Sequence, residues 1–312
     1  MPVVHNRYDL SQVNLFTYDV VMAVTEDEIA AIQWCMDVGL IRQEFFCPQC
    51  SNSMKQDGTR WRCRRSTCND LQFSVRKGTV FVEVKIPIRK FVRILFHYAS
   101  NTPVTKCASQ KKVSQNTVSK VYSICRDMCS EELCRTDMKI GGYGAIVEID
   151  ETSLKKKSKY NRGRHYPDCW LFGGVDRGTK QWFGRIVYGD RTKKTLSELI
   201  REHINPGTLI ISDKFSSYVS LNGRHNLANN PVLRDMDYSH QWVDHSENFV
   251  NPTNGAHTQT IEGYWEIKVK RHMKAMRGVI KEMIPELIDE YLWRSWCFRP
   301  KVEDAMFMAG IC

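Results

Sequence analysis

Two hydrophobic rhythms divide the chain. Near the N-terminus and again from Pro87 to about Cys129, apolar side chains recur at steps of three and four, the repeat of amphipathic helices. In "TEDEIAAIQWCMDVGLI", Thr25 and Glu28 have capping-box spacing and the apolar positions run on to Gly39, which predicts a helix over about 26–38. Pro87 suits the first turn of a helix whose stripe is Ile88, Phe91, Leu95 and Tyr98. A short segment, "VTKCASQKKV", follows. Ser114 then caps "QNTVSKVYSICRDMC", with Val118, Val121, Tyr122, Cys125 and Met128 on one face. Helix, short helix, tight turn and longer helix together predict a helix-turn-helix.

After "KIGGYG" the pattern becomes that of strands: "AIVEID", "CWLFGGVDR" and "QWFGRIVYG". An amphipathic helix, "KTLSELIREHI", stops at Asn205-Pro206-Gly207, and "TLIISD" makes a fourth strand. Residues 214–256 offer no period and are expected to be loop. "HTQTIEGYWEIKVKR" then returns to helix. Strands, then helix and strand, then helices give an α/β or α+β layer domain. There is no internal repeat and no low-complexity tract.

Charge adds a partner to this outline. The 312 residues hold 45 Lys and Arg against 35 Asp and Glu, a net charge of +10, which suits a polyanion such as nucleic acid. No apolar run is long enough to span a membrane, and "MPVVHNRYDLSQVNLF" has no secretory pattern, so no membrane partner is expected. The 12 cysteines are therefore expected in a reducing compartment, as metal ligands or in cores.

Residues 41–82 interrupt the helical period with short, Arg-rich runs and turns at Asp57-Gly58 and Lys77-Gly78. Cys47, Cys50, Cys63 and Cys68 fall in the pattern C-x2-C-x12-C-x4-C, four thiols suited to tetrahedral Zn²⁺. So small a segment has too little apolar surface to fold without a metal. Arg60, Arg62, Arg64, Arg65, Arg76 and Lys77 stud it, and a phosphate-facing role follows. Lys111, Lys112, Gln115, Asn116 and Lys120 gather near the start of the last helix of the helix-turn-helix, the end that enters the major groove.

Asp150 and Asp213 end the first and fourth strands, where polar groups converge on one sheet edge. Two acids so placed in a basic protein suit Mg²⁺ or Mn²⁺, and a two-ion site for phosphoryl transfer asks for a third. Glu262 and Glu266 both fit one helical face with Val269 and Met273, and periodicity does not choose between them. Lys268, Lys270 and Arg271 flank that face. Lys155, Lys156, Lys157, Lys159, Arg162 and Arg164 follow Asp150 and are expected to contact a DNA backbone. His240 and His245 could support the site, with satisfied structural histidines the preferred reading.

"CPQC…WRCRRSTC…FSVRKGTVF", "VEIDET", "WLFGGVDRG", "PGTLIISDKFSSY" and "HTQTIEGYW" resemble, in order, the Merlin-type transposases and their bacterial insertion-sequence relatives. The resemblance runs from about Phe46 to Arg299. It implies an α/β fold: a ribonuclease H-like catalytic domain preceded by a zinc ribbon and a helix-turn-helix. The expected boundaries are 1–40 for an N-terminal helical segment, 41–82 for the ribbon, 83–138 for the helix-turn-helix region and 139–312 for the catalytic domain. It also implies a DDE triad of Asp150, Asp213 and Glu262, structural Zn²⁺, catalytic Mg²⁺ or Mn²⁺, and action on double-stranded DNA at terminal inverted repeats and target sites. A homo-oligomer on DNA and a nuclear location complete the expectation. The alternative is a domesticated transposase acting only as a sequence-specific DNA-binding or regulatory protein.

Overall fold

The computed structural model describes residues 11–154, 169–276, 279–298 and 304–311. They fall into two compact units, one built on 129–296 and the other on 11–128 with the C-terminal residues from 297 onward.

In the N-terminal unit a turn at Val13–Phe16 leads into α1 (Tyr18–Val24) and α2 (Glu28–Asp37). The Thr25–Glu28 capping box does not form. Asp27 caps α2 instead, its Oδ1 accepting from the N–H groups of Ile29 and Ala30 at 2.8 and 3.0 Å. Thr25 turns back and donates to the Val21 carbonyl at 2.5 Å.

Three short antiparallel strands follow, β1 (Lys55–Asp57), β2 (Arg60–Arg62) and β3 (Gln72–Ser74). Phe45 packs its ring against Trp61 and Phe73, with centroids 6.1 and 5.3 Å away. Trp61, Met54 and Val75 are buried with three of the four cysteines, and Phe45 and Phe73 are half-buried.

The helices α3 (Ile88–Ala99), α4 (Val104–Lys111) and α5 (Gln115–Cys134) come next. Glu28 reaches from α2 to accept from the N–H groups of Ile88 and Arg89 at 2.7 and 3.1 Å, capping α3 across 60 residues of chain. Ser114 accepts from Thr117 N–H at 3.1 Å and starts α5 as its sequence predicts.

The second unit is built on a five-stranded sheet: β4 (Ile146–Ser153), β5 (Trp170–Asp176), β6 (Trp182–Val187), β7 (Leu209–Asp213) and β8 (Ser239–Val243), with α6 (Lys193–His203) between β6 and β7. The spatial order is β6-β5-β4-β7-β8, with β4 to β6 antiparallel and β7 and β8 parallel to β4. This is the ribonuclease H-like arrangement. The expectation of loop over 214–256 is corrected: Ser239–Val243 pairs along β7, and two short 3-10 turns precede it. A strand reading Ser-His-Gln-Trp-Val at a sheet edge buries only one end, so it carries little periodic signal.

Alternation along β4 sorts its side chains between two faces. Val147 and Ile149 enter a core with Phe172, Phe183, Leu196 and Ile200. Glu148 and Asp150 point the other way, toward a helical run made of α7 (Gln259–Tyr264), a π-helical turn (Trp265–Lys270) and α8 (Arg271–Ala275). Ile261, Trp265 and Val269 are its buried stripe. Farther on, α9 (Ile284–Cys297) is tied to β6, where Trp182 Nε1 donates to Ser295 Oγ at 2.8 Å and Trp296 Nε1 to the Trp182 carbonyl at 2.6 Å. The last helix, α10 (Asp304–Ile311), packs on α3 and the Val13–Phe16 turn of the N-terminal unit. The basic run Lys155–Arg164 lies outside the described residues.

Candidate functional site

Asp150 sits inside β4 rather than at its end, three residues before Ser153. Asp213 does close β7. The parallel ladder pairs Glu148 with Ile211, so two residues further on Asp150 and Asp213 stand level on neighbouring strands, facing the same side.

On its other flank Asp150 is paired with Gly173 of β5. A Cβ there would lie 2.6 Å from Cη2 of Trp265 and 2.2 Å from the Phe183 carbonyl oxygen. Only glycine lets the indole lie across the strand, where its Nε1 donates to Asp150 Oδ2 at 3.0 Å. Burial, reinforced by the charge of Asp213, pushes the Asp150 carboxyl up to about 8. Burial also raises Asp213, against the Phe215 N–H that holds its Oδ1 at 3.2 Å. Two half-buried acids that resist ionising together favour a positive partner.

Glu262 lies in the first turn of α7, and its neighbours explain how that turn is held. Thr258 occupies the N-cap position yet makes no cap bond with its side chain. Its hydroxyl donates to Glu262 Oε1 at 2.9 Å. With that proton committed, His245 must donate from Nε2 to Thr258 Oγ1, also at 2.9 Å. The same Nε2 lies 3.6 Å from Glu262 Oε1.

The cap comes from β4. Glu148, fully buried, accepts through Oε2 from the N–H groups of Thr260 and Ile261 at 2.9 and 3.0 Å. Its Oε1 takes Arg177 Nε at 2.6 Å, and Arg177 Nη2 donates to the His257 carbonyl at 2.9 Å.

The stripe expected to carry Glu262 and Glu266 inward is corrected by this geometry. Ile261, Trp265 and Val269 take the buried face, and both glutamates lie beside it. Both are exposed; Glu262 turns to Thr258 and His245, whereas Glu266 is paired with Lys274 at 2.5 Å. The π-helical turn shifts register between the two, which a 3.6-residue wheel misses.

The thiols of Cys47, Cys50, Cys63 and Cys68 all lie within 4.8 Å of one another. Cys47 and Cys68 are 3.8 Å apart at sulfur, Cys50 and Cys63 3.7 Å. A tetrahedron with Zn–S bonds of about 2.3 Å has edges of about 3.8 Å, so the four thiols fit one zinc. Among the described residues no carboxylate group is gathered so tightly.

Several residues expected to meet DNA have protein partners. Arg62 faces Asp57 and Asp70 at 3.1 and 3.3 Å. Arg65 donates to Asn52 at 3.3 Å. Lys120 pairs with Glu83 at 2.7 Å. Arg76 donates to the carbonyls of Phe81, Val84 and Ile86, and therefore braces the ribbon's exit. Lys77 lies over the Phe73 ring at 3.7 Å. Arg64, Lys112, Gln115 and Asn116 are exposed, the last two in the first turn of α5, and Lys270 is half-buried.

Sequence reasoning missed Glu148, Glu151, Trp265, Thr258 and Tyr218; of the two alternatives it leaves for His245, the bond to Thr258 sets the ring next to Glu262. Glu151 accepts from the Tyr218 hydroxyl and lies 3.9 Å from Arg191, and burial pushes it up to about 7. The available signal was three acids in "VEIDET", of which only Asp150 stood out. His240 is structural as read: its ring meets Ser212 Oγ at 3.0 Å and accepts from Leu227 N–H at 3.2 Å, and burial lowers it to about 3.

A ribonuclease H-like sheet with two half-buried acids level on adjacent strands, in a chain that also carries a four-cysteine ribbon, is an architecture that suits a transposase. Residues 140–295 match the ISXO2-like transposase domain, and the chain belongs to that family. It is 29% identical over 109 residues to an uncharacterized transposase-like protein of Haemophilus influenzae, covering 35% of this chain and 76% of that one. A chain of the simian T-cell lymphotropic virus intasome in complex with PP2A regulatory subunit B56 gamma is similar at TM-score 0.32 and 13% identity, covering 64% of this chain and 66% of that one. The HTLV-2 integrase catalytic core domain in complex with magnesium is similar at TM-score 0.30 and 14% identity, covering 48% of this chain and 84% of that one.

Proposed function

We propose that this protein is a Merlin-type DDE transposase that binds terminal inverted repeats, cleaves DNA strands there and joins the freed ends to target DNA. The observation that carries the reading is the level placement of Asp150 and Asp213 on neighbouring parallel strands, both half-buried and both raised.

In this reading Asp150, Asp213 and Glu262 would hold the Mg²⁺ or Mn²⁺ ions. When bound, such ions activate an attacking oxygen and stabilise the leaving one. The chain's own residues set the geometry. Trp265 fixes one oxygen of Asp150, Thr258 and His245 orient Glu262, and Glu148 fastens the helix between them. Zinc on the four cysteines makes the ribbon rigid. The first turn of α5 offers Gln115 and Asn116 to base edges as the reading end of a helix-turn-helix, while Arg64, Lys112, Lys270 and the run Lys155–Arg164 meet phosphates. The protein works as a homo-oligomer on DNA, in the nucleus.

The test is a cleavage assay on duplexes carrying the inverted repeats that flank the gene, with Mg²⁺ or Mn²⁺. Asp150→Asn and Asp213→Asn should each abolish cleavage and leave binding intact, with the double variant no worse. Sequence-specific binding by a wild-type chain that never cuts would move it to the domesticated class.

A further inference from the structure

A cavity of about 150 Å³ opens in the N-terminal unit, and its wall is dominated by cations: Arg89, Lys90 and Arg93 from α3, Lys111 from the last turn of α4, and Lys112 just after it. The two arginines are fixed. Arg93 donates from Nε to Thr25 Oγ1 at 2.7 Å and from Nη2 to the Met22 carbonyl at 3.1 Å, and Arg89 Nη1 donates to the Glu26 carbonyl at 3.1 Å. None of these acceptors is a carboxylate.

Two acids lie nearby, and both are engaged by backbone N–H groups: Glu28 takes those of Ile88 and Arg89, and Asp27, whose charge also meets that of Arg89, caps α2. Among the described residues, the side chains of Lys90, Lys111 and Lys112 have no ion-pair or hydrogen-bond partner. Burial and then the charge of Arg93 hold the Lys111 ammonium below its usual value. Five cations around one concavity repel one another, and an anion seated among them relieves that repulsion.

We propose that this cavity binds a phosphate group of the DNA backbone, gripping the duplex away from the bases that α5 would read. A tetrahedral oxyanion accepts several donors at once, which suits two fixed guanidinium groups and mobile lysines on the rim. The inference rests on reading the N-terminal unit as DNA-binding. It gives that unit a contact blind to sequence.

The test uses the full chain with Lys90→Gln and Lys111→Gln combined, in a variant that melts like wild type. Its affinity for inverted-repeat and scrambled duplexes should fall equally, about tenfold near 0.1 M salt, and the slope of log K against log salt should shrink by about one. Lys106→Gln, on the same helix but outside the cavity, should leave the slope unchanged. An unchanged slope in the double variant, or an equal loss in Lys106→Gln, overturns the proposal. A parallel NMR titration with inorganic phosphate separates the sources. Saturable shifts at Arg89, Arg93 and Lys111 that vanish in the double variant support a phosphate site. The same shifts with an unchanged salt slope make the occupant free phosphate and overturn the DNA contact. If wild type binds no duplex, the DNA-binding reading fails by itself, and the phosphate titration still decides whether the cavity takes a phosphate.

Discussion

Glu148 accepts the backbone N–H of Ile261 at 3.0 Å, across 113 residues of sequence. One β4 side chain thereby caps the helix that carries Glu262, two residues before the same strand presents Asp150. The spacing between the two acids is set by a third that touches no substrate. Glu148→Ala would leave Arg177 without its carboxylate and the first turn of α7 without a cap, a loss of about 3 kcal/mol. Glu148→Gln keeps one acceptor and should fold. Its cleavage should fall about a hundredfold, because displacing a reacting group by about 1 Å costs that much. Thermal melts and cleavage rates on one preparation check this. Wild-type cleavage by Glu148→Gln would mean that Glu262 needs no such clamp.

The hydroxyl of Thr258 is freed from capping by Glu148 and spent on Glu262. Thr258→Val keeps the shape and removes that bond, while Thr258→Ser retains it. Cleavage is expected to drop about tenfold in the valine variant and to stay near wild type in the serine variant, in keeping with a charge-assisted hydrogen bond of about 1.5 kcal/mol. Equal rates in the two variants would remove the hydroxyl from the site.

How much of this was visible beforehand depended on how locally each feature is encoded. The cysteine spacing, the stripe of α3, the Ser114 cap and the strands flanking Asp150 and Asp213 follow from residues within a few positions of each other, and the sequence predicts them. Glu148 was silent because its partners Arg177, Thr260 and Ile261 are far away in the chain. Nothing in "VEIDET" says which acid faces a helix end. Periodicity alone does not separate Glu262 from Glu266, because the π-helical turn breaks the period a helical wheel assumes, and the resemblance is what points to Glu262. β8 was lost because an edge strand with one buried end does not alternate.

The ribbon's apolar core is small, Met54, Trp61 and Val75 with Phe45 and Phe73 half-buried, so its order must come largely from the thiols. One zinc per chain is expected by elemental analysis. Cys63→Ser should lose that zinc, and the Trp61 environment, 4% exposed in the folded ribbon, should become wet. Chelation of wild type should do the same. A zinc-free preparation with an intact ribbon by NMR would contradict the assignment.

The carboxyl of Asp150 carries a pH signature in magnesium-free buffer. Its ordinary value of 3.8 is raised to about 8 in the fold, and Glu151 moves from 4.5 to about 7, both chiefly by burial. Between those limits the native state keeps protons the unfolded chain has lost, so stability falls as pH rises. The contribution is complete below about pH 4 and gone once pH passes about 8. The melting temperature should therefore decline from pH 5 to pH 8, each kcal/mol counting for about 2–4 °C. Asp150→Asn should flatten the decline. Mg²⁺, which favours the ionised acids, should raise the melting temperature more at pH 8 than at pH 6. A flat profile in wild type would show that Asp150 is ionised without a metal.

The last expectation separates two glutamates four residues apart. Glu262 faces Thr258 and His245 beside Asp213, and its charge is among those that raise Asp213. Glu266 has turned to solvent, where Lys274 pairs with it and lowers its carboxyl. An amide in place of Glu262 keeps the hydrogen bond from Thr258 and removes only the charge. Loss of cleavage in Glu262→Gln would therefore report charge rather than shape. Cleavage should disappear in Glu262→Gln with DNA binding and melting unchanged. Glu266→Gln should stay within about twofold of wild type, since an exposed ion pair contributes at most about 1 kcal/mol. A cleavage assay of both variants on inverted-repeat DNA decides. Activity that survives in Glu262→Gln and dies in Glu266→Gln would mean that the π-helical turn presents the other acid when DNA is bound.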